Sequence, residues 1–280
     1  MKRIVIETYS VKDIPIMTLA GENANNCPLA FFVHGFMHDK KAGLPLGYRL
    51  AELGFYVISL DAFMHGERFD ESLKDVWEPK PNYVYPPDSG LDVFYLLHKI
   101  VVHTANDIGA LIAHFAKDAR VDTERIGITG FSMGGFTTFY ATANLPQIKA
   151  AVPICGVPTF AARWADVTLE ASSYLQWADT MTQAEAETAK ISAFMRSIDP
   201  ARKLEAFYPK PLMMISGDRD IDAPKKYSVN MYRALKPLYA EQPERLRLSI
   251  HDDAGHELTL AMMQEVCDWF CKYLRDVVEK

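Results

Sequence analysis

The sequence lacks long apolar runs and blocks of like charge. No window reaches the roughly 18 consecutive apolar residues that a membrane-spanning helix needs. The formal net charge is -6 at pH 7, and no long run of Lys and Arg interrupts that acidic balance. A membrane protein and a nucleic-acid-binding protein are therefore both disfavoured.

Cysteine and metal-binding motifs are scarce as well. The four cysteines show no spacing typical of a disulfide framework or a zinc site, and Cys267 and Cys271 lie on one predicted helix, where joint burial is the simplest interpretation. The chain has no H-E-x-x-H motif, so we expect neither a metal nor another cofactor. The N-terminal residues lack the apolar core and cleavage site of a signal peptide, and we expect a cytoplasmic location.

Segments typical of strands alternate with segments typical of helices along most of the chain, which predicts a mainly parallel sheet covered by helices. With 280 residues, of which 49% are hydrophobic, the chain is long enough for one large α/β domain. Two N-terminal strands are expected to form an antiparallel ribbon, and the later ones are continuous apolar runs, as strands buried on both faces should be. These predicted strands cover residues 4–8, 14–19, 29–33, 56–60, 125–130, 150–155, 212–216 and 246–250.

The alternation breaks over residues 159–208, which favour helix and contain no obvious strand. We interpret this segment as a small helical cap inserted over the sheet. Its Trp164 and Trp177, together with Tyr85 in a Pro-rich and aromatic-rich irregular segment, are candidates for lining a substrate pocket. Core or cap packing is an equally good interpretation of these side chains.

A long helix is predicted over about residues 91–116, and it carries His98, His103 and His114. These histidines lack the i, i+4 spacing of a helical metal-binding pair. We therefore expect them to be ordinary surface or interface residues.

A candidate nucleophile lies between a predicted strand and a predicted helix. Residues 130–134 match the pattern G-x-S-x-G, with Ser132 at its centre. A sharp turn at this serine would project its hydroxyl clear of the sheet, and the flanking glycines give the turn room. The alternative is a glycine-rich turn with an incidental serine, but the strand, turn and helix that the chemistry requires all follow in order.

A serine hydroxyl needs a base, and histidine is suited to this at neutral pH. His256 lies in the loop between the last strand and the last helix, and His251, which directly abuts the strand end, is its competitor.

The acid that orients the base should precede it in the chain. The loop after the strand at 212–216 offers Asp218, Asp220 and Asp222. Asp222 is also a candidate for capping the following helix. Asp252 and Asp253 are weaker candidates for the acid.

Acyl transfer also needs two hydrogen-bond donors for the oxyanion. One is expected to be the backbone N–H of Met133, directly after the nucleophile. For the other we nominate the N–H of Phe36, in the loop after the strand at 29–33. His34, in the same loop, is interpreted as a structural histidine rather than a proton carrier.

The motifs, taken together and in order, resemble the α/β-hydrolase superfamily. They are His34-Gly35-Phe36, Asp61 with His65-Gly66-Glu67-Arg68, Gly130-Phe131-Ser132-Met133-Gly134-Gly135, Gly217-Asp218-Arg219-Asp220 and Gly255-His256. Within that superfamily the chain is similar to bacterial dienelactone-hydrolase-like and prolyl-oligopeptidase-like serine carboxylesterases. The resemblance implies an eight-stranded, mostly parallel sheet and a catalytic triad of Ser132, Asp220 and His256.

The resemblance also implies hydrolysis of a small-molecule ester without a cofactor. The chain departs from true dienelactone hydrolases, which use a cysteine nucleophile, because it has Ser132 at that position. It also has no propeller domain of the oligopeptidase type. The alternatives are acyl transfer, or thioester or amide hydrolysis, by the same triad, and a non-catalytic ligand-binding protein on this fold. Neither the substrate nor the oligomeric state is predicted by the sequence.

Overall fold

An eight-stranded sheet forms the centre of the computed structural model, which describes residues 3–71, 73, 87–174 and 181–275. The strand order is β1-β2-β4-β3-β5-β6-β7-β8. The strands are β1 (Ile4–Val11), β2 (Ile14–Gly21), β3 (Cys27–Val33), β4 (Tyr56–Leu60), β5 (Val121–Phe131), β6 (Ile148–Ile154), β7 (Leu212–Gly217) and β8 (Leu246–His251).

Strand directions follow the sequence-based expectation. The N-terminal strands β1 and β2 pair antiparallel, and β2 pairs antiparallel with β4. Every other neighbouring pair in the sheet is parallel. The prediction of an eight-stranded, mostly parallel α/β-hydrolase sheet is confirmed.

Seven α-helices among the described residues connect and cover the strands. They are α1 (Leu44–Glu52), α2 (Pro87–Phe115), α3 (Met133–Asn144), α4 (Phe160–Tyr174), α5 (Met181–Ile198), α6 (Lys226–Leu235) and α7 (Leu260–Phe270). Helices α4 and α5 lie in the segment interpreted as a cap. None of the described helices is both long and apolar enough to cross a membrane, and the cytoplasmic location stays a prediction.

Helices on both faces explain why the central strands are continuous apolar runs. Along β3, Leu29, Phe31 and Val33 belong to an apolar core with α2, α3 and α6. The alternate residues Ala30 and Phe32 belong to a second core with α1 and α7. A strand with both faces buried cannot alternate apolar with polar residues.

The expectation that the histidines of the long helix are surface or interface residues is wrong for His98. Its side chain is fully buried, and its Nδ1–H donates to the carbonyl of Phe94 at 2.7 Å. The ring lies against Phe94 and Phe160, with centroids 4.4 and 4.6 Å away. The face of α2 that carries His98 packs under the start of α4, a long-range contact that the local pattern does not reveal.

Burial lowers the pKa of His98 from 6.5 to about 4, against the opposing effect of the hydrogen bond to Phe94. In the unfolded chain this histidine has its ordinary pKa, so between pH 6.5 and 4 only the unfolded chain binds the proton. The folded state is then penalised, and the free energy of unfolding falls as the pH falls through this window. The slope from one such group is at most about 1.4 kcal/mol per pH unit.

His98→Phe retains an aromatic ring and removes this titration. We predict that its free energy of unfolding, measured in urea between pH 7 and 4.5, falls less steeply with decreasing pH than that of the wild type, by up to about 1.4 kcal/mol per pH unit. His103→Phe on the same helix, where the ring is exposed, should keep the wild-type slope. Parallel curves for the wild type and His98→Phe would contradict the prediction.

Candidate active site

Parallel pairing brings the carboxyl ends of six strands, β3 to β8, to one edge of the sheet. Val33 of β3 pairs with Gly130 of β5, and Phe131 pairs with Ile154 of β6. The loops that follow β7 and β8 leave the sheet at the same edge, since these strands are parallel to β6. Ligands of open α/β sheets bind outside the carboxyl ends of the strands, so this edge is the place to look for a site.

Ser132 occupies a tight turn between β5 and α3. Its φ and ψ are 56° and -117°, a conformation that residues other than glycine rarely adopt. The turn is held by its own backbone, because the N–H of Ser132 donates to the carbonyl of Ile154 at 3.0 Å and its carbonyl accepts from Phe136 at 3.0 Å. Such strain is found where a side chain has to be presented for function.

Gly134 allows the helix after this turn to approach β3. A Cβ on this residue would overlap the backbone carbonyl of Val33. The obstructing atoms belong to a central strand, which cannot move aside as a flexible side chain could. Only glycine therefore lets α3 begin this close to the sheet.

His256 connects the serine to an aspartate. Its Nε2 lies 2.8 Å from Ser132 Oγ, and its Nδ1 lies 2.8 Å from Asp220 Oδ2. With the proton on Nδ1, the ring donates to the carboxylate and can accept the serine proton at Nε2. The imidazole ring packs on Phe131, with ring centroids 5.0 Å apart.

Asp220 is the one aspartate of its loop that points inward. Its side chain has no exposed surface, and Oδ1 accepts from the backbone N–H groups of Asp222 and Ala223 at 3.0 and 2.8 Å. Burial by itself would raise the pKa of Asp220, but the hydrogen bonds from His256 and Ala223 outweigh it and hold the pKa below its ordinary value. The carboxylate is therefore ionised at neutral pH.

The competing acids and base lie elsewhere. Asp218 pairs with Lys225, and Asp253 pairs with Arg219. His251 Nε2 lies 3.3 Å from a carboxylate oxygen of Glu265.

The prediction that Asp222 caps the next helix is wrong. Helix α6 begins at Lys226 with Lys225 as its N-cap, and no side chain caps it. The turn that holds Asp220 occupies the residues that would otherwise start the helix.

The two nominated oxyanion donors belong to segments that adjoin Ser132. Met133 is the first residue of α3, and the N–H of a first helical residue has no acceptor within its helix. On the other side, a Cβ on Gly35 would lie 3.5 Å from Ser132 Cβ, so the loop carrying Phe36 is in contact with the nucleophile. The donor roles of Phe36 and Met133 stay predictions.

His34 holds that loop, as expected of a structural histidine. Its Nδ1–H donates to the carbonyl of Gly35 at 2.7 Å, and its Nε2 accepts from the N–H of Ala62 at 2.9 Å. Burial lowers the pKa of His34 to about 4, with the hydrogen bond to Gly35 opposing it. The ring is therefore neutral at pH 7, which the acceptor role of Nε2 requires.

A buried ion pair beneath this loop was missed in the sequence. Lys40 Nζ lies 2.8 Å from Asp61 Oδ2, and both side chains are almost completely buried. Asp61 also accepts from the backbone N–H groups of Lys40 at 2.8 Å and Glu67 at 2.9 Å. Burial would raise the pKa of Asp61, but these hydrogen bonds lower it below the ordinary value. Two features of the sequence could have indicated this ion pair. A lysine lies shortly after the predicted oxyanion loop, and an aspartate lies directly after a buried strand.

Of the three predicted substrate residues, Trp164 alone lies in the part of the chain that the structure describes. Trp164 is buried, and its indole N–H donates to Ser192 Oγ at 2.8 Å. It stacks on Phe94 with ring centroids 5.9 Å apart, which is the packing alternative weighed for it above. Tyr85 and Trp177 lie outside the described residues, so all three assignments stay predictions.

The chain is similar to several known proteins. The sequence pattern described as "Prolyl oligopeptidase family" matches residues 97–277. The Bacillus subtilis (strain 168) protein named "Putative esterase YitV" is 29% identical over 276 residues, covering 97% of this chain and 100% of that protein. Esterase YjfP of Escherichia coli (strain K12) is 22% identical over 277 residues, with 97% and 100% covered. The crystal structure of TT1662 from Thermus thermophilus superimposes with a TM-score of 0.71 at 20% identity, over 97% of this chain and 98% of that chain.

Gly134→Ala tests the close approach of α3 to β3. We predict a loss of more than about 3 kcal/mol in the free energy of unfolding, because the added methyl group meets fixed backbone. Gly21→Ala is the matched control, since a Cβ there meets nothing within 4 Å, and it should change stability by no more than about 0.5 kcal/mol. Urea unfolding measures both, and equal stability of the two variants would refute the interpretation.

Proposed function

This chain belongs to the prolyl oligopeptidase family, a family of hydrolases, and we propose that it is a serine hydrolase that cleaves carboxylic esters through an acyl-enzyme. The observation that carries the proposal is the continuous hydrogen-bonded chain from Ser132 Oγ through His256 to Asp220, with 2.8 Å at each step. The names of two relatives, which call each an esterase, support ester rather than peptide bonds as the target.

The first half of the reaction transfers the acyl group to the protein. His256 Nε2 takes the proton of Ser132 Oγ as the oxygen attacks the ester carbonyl carbon. The negative charge that develops on the carbonyl oxygen is stabilised by the N–H groups of Met133 and Phe36. The alcohol then leaves with the proton held on His256, and the acyl-serine remains.

The second half of the reaction repeats these steps with water in place of the serine hydroxyl. His256 removes a proton from the water as it attacks the acyl carbon, and Ser132 is released with that proton. Asp220 keeps the ring in the tautomer with its proton on Nδ1 and stabilises the imidazolium formed in each half. Because the Asp220 carboxylate is buried and ionised, its negative charge stabilises the imidazolium while the proton stays on His256 Nδ1.

Transfer to another acceptor, or cleavage of thioesters or amides, would use the same residues. These reactions differ from ester hydrolysis in the leaving group and in access for water. A non-catalytic binding role would leave the hydrogen-bonded serine, histidine and aspartate without a purpose. Comparing the rates of hydrolysis of esters, thioesters and amides separates these alternatives.

The nucleophile is tested by comparing the wild type with Ser132→Ala on p-nitrophenyl acetate, butyrate and octanoate. We predict ester hydrolysis by the wild type and a loss of about 10⁵-fold or more in kcat for the variant. Ser197→Ala, on α5 with its hydroxyl bonded to the carbonyl of Phe194, should retain full activity. Hydrolysis by Ser132→Ala at the wild-type rate would refute the mechanism. Cleavage confined to thioesters or p-nitroanilides would refute the ester assignment while leaving the triad intact.

The acid is tested by Asp220→Asn against Asp218→Asn. The asparagine at 220 keeps the size of the side chain but removes the charge that stabilises the imidazolium, and we predict a loss of about 10³- to 10⁴-fold in kcat. The change at position 218 touches a carboxylate that pairs with Lys225 outside the site, and kcat should stay within about twofold. A larger loss of kcat at position 218 than at position 220 would show that Asp220 is not the acid.

A further inference from the structure

Cys155 is a buried thiol that the proposed mechanism does not use. It follows the last residue of β6, has no significant exposure, and its φ is 47°. Its backbone N–H donates to the carbonyl of Ile215 in β7 at 2.8 Å. The preceding carbonyl, of Ile154, accepts the N–H of Ser132 at 3.0 Å. Cys155 is thus fixed between the strand that supports the serine and the strand that leads to the aspartate.

The side chain of Cys155 faces the acid and the base. Its Sγ lies within 4.8 Å of both a carboxylate oxygen of Asp220 and a ring nitrogen of His256. In the structure the thiol hydrogen bond goes to the backbone carbonyl of Glu257 at 3.8 Å, and rotation of the S–H would direct it to Asp220 instead. An ionised carboxylate is the stronger acceptor, so the proton is better placed on Asp220.

The carboxylate of Asp220 has room for this donor. Oδ1 accepts two backbone N–H groups, whereas Oδ2 accepts the hydrogen bond from His256 Nδ1. A carboxylate offers about four acceptor sites over its two oxygens. A thiol beside Asp220 can therefore occupy the remaining one without displacing the imidazole.

The thiol also stays protonated. Burial, and next the negative charge of Asp220, raise the pKa of Cys155 to about 12. A neutral thiol is a hydrogen-bond donor and a poor nucleophile. This excludes Cys155 as a substitute for Ser132 in acyl transfer and leaves it as a donor.

We propose that Cys155 is a positioning residue, whose S–H donates to the Asp220 carboxylate and holds it in the orientation that faces His256. The assignment rests on the proposed function, because it gives Asp220 the role of the acid. The thiol would add to the two backbone N–H groups that already hold the carboxylate. It also draws negative charge away from the oxygen that accepts the His256 proton.

Comparing Cys155→Ala with Cys155→Ser separates the loss of a hydrogen-bond donor from the loss of side-chain packing. Both variants are smaller than cysteine and avoid a β-branched side chain at a positive φ, but only serine keeps a donor. We predict that Cys155→Ala lowers kcat about five- to tenfold with little change in KM, and that Cys155→Ser stays within about threefold of the wild type. The acidic limb of the kcat/KM pH profile should move to higher pH in the alanine variant alone, since the carboxylate then binds the imidazolium more strongly.

Cys267→Ala is the matched control, because this cysteine is similarly buried in the same core as Cys155 but lies on α7. It should lower the thermal unfolding midpoint without changing kcat or the pH profile. Equal losses in Cys155→Ala and Cys155→Ser, or an unchanged pH profile in both, would reduce Cys155 to a packing role and overturn the proposal.

A spectroscopic measurement decides the proposal even if the protein cleaves no tested substrate. The proton between His256 Nδ1 and Asp220 should give a downfield ¹H NMR resonance that disappears in His256→Ala. We predict that this resonance shifts in Cys155→Ala, remains close to the wild-type position in Cys155→Ser and is unaffected in Cys267→Ala. A resonance that is the same in all three cysteine variants would overturn the assignment, whereas absent ester hydrolysis beside the predicted shifts would overturn only the proposed function.

Discussion

The close approach of helix α3 to strand β3 is the constraint on which the site depends. At Gly134 the helix contacts the carbonyl of Val33, where any side chain would overlap the strand. This contact fixes the helix start, and with it the strained turn that presents Ser132. The loop that carries Phe36 begins directly after β3, and a Cβ on its Gly35 would lie 3.5 Å from Ser132 Cβ. The proposed nucleophile and the proposed oxyanion donors thus both depend on one packing contact between backbones.

Buried polar groups then hold the loops that the sheet alone does not fix. The Lys40–Asp61 pair and neutral His34 tie the loop after β3 to the end of β4. The backbone N–H groups of residues 222 and 223 hold the Asp220 carboxylate from one side. Breaking a buried pair leaves an uncompensated charge, so such groups tolerate few arrangements. These contacts hold the loops of the candidate site in one arrangement.

The sequence predicts the parts of this arrangement that local patterns encode. The apolar strand runs, the antiparallel entry ribbon and the family resemblance lead to the observed sheet. Ser132 is recognisable because the turn geometry demands glycines at fixed spacing. The burial of His98, by contrast, depends on packing between α2 and α4, and the place of Cys155 depends on the pairing of β6 with β7. Contacts between residues so far apart in the chain leave no periodic signal, and a single cysteine at a strand end resembles any other buried cysteine.

The most direct test of the account is to treat the folded protein with a fluorophosphonate and to locate the adduct by peptide mass spectrometry. Such a reagent phosphonylates a serine whose proton an adjacent histidine can remove. The account predicts one adduct per chain, on Ser132, and no adduct in Ser132→Ala. An adduct on another residue, or a wild-type protein that remains unmodified, would contradict it.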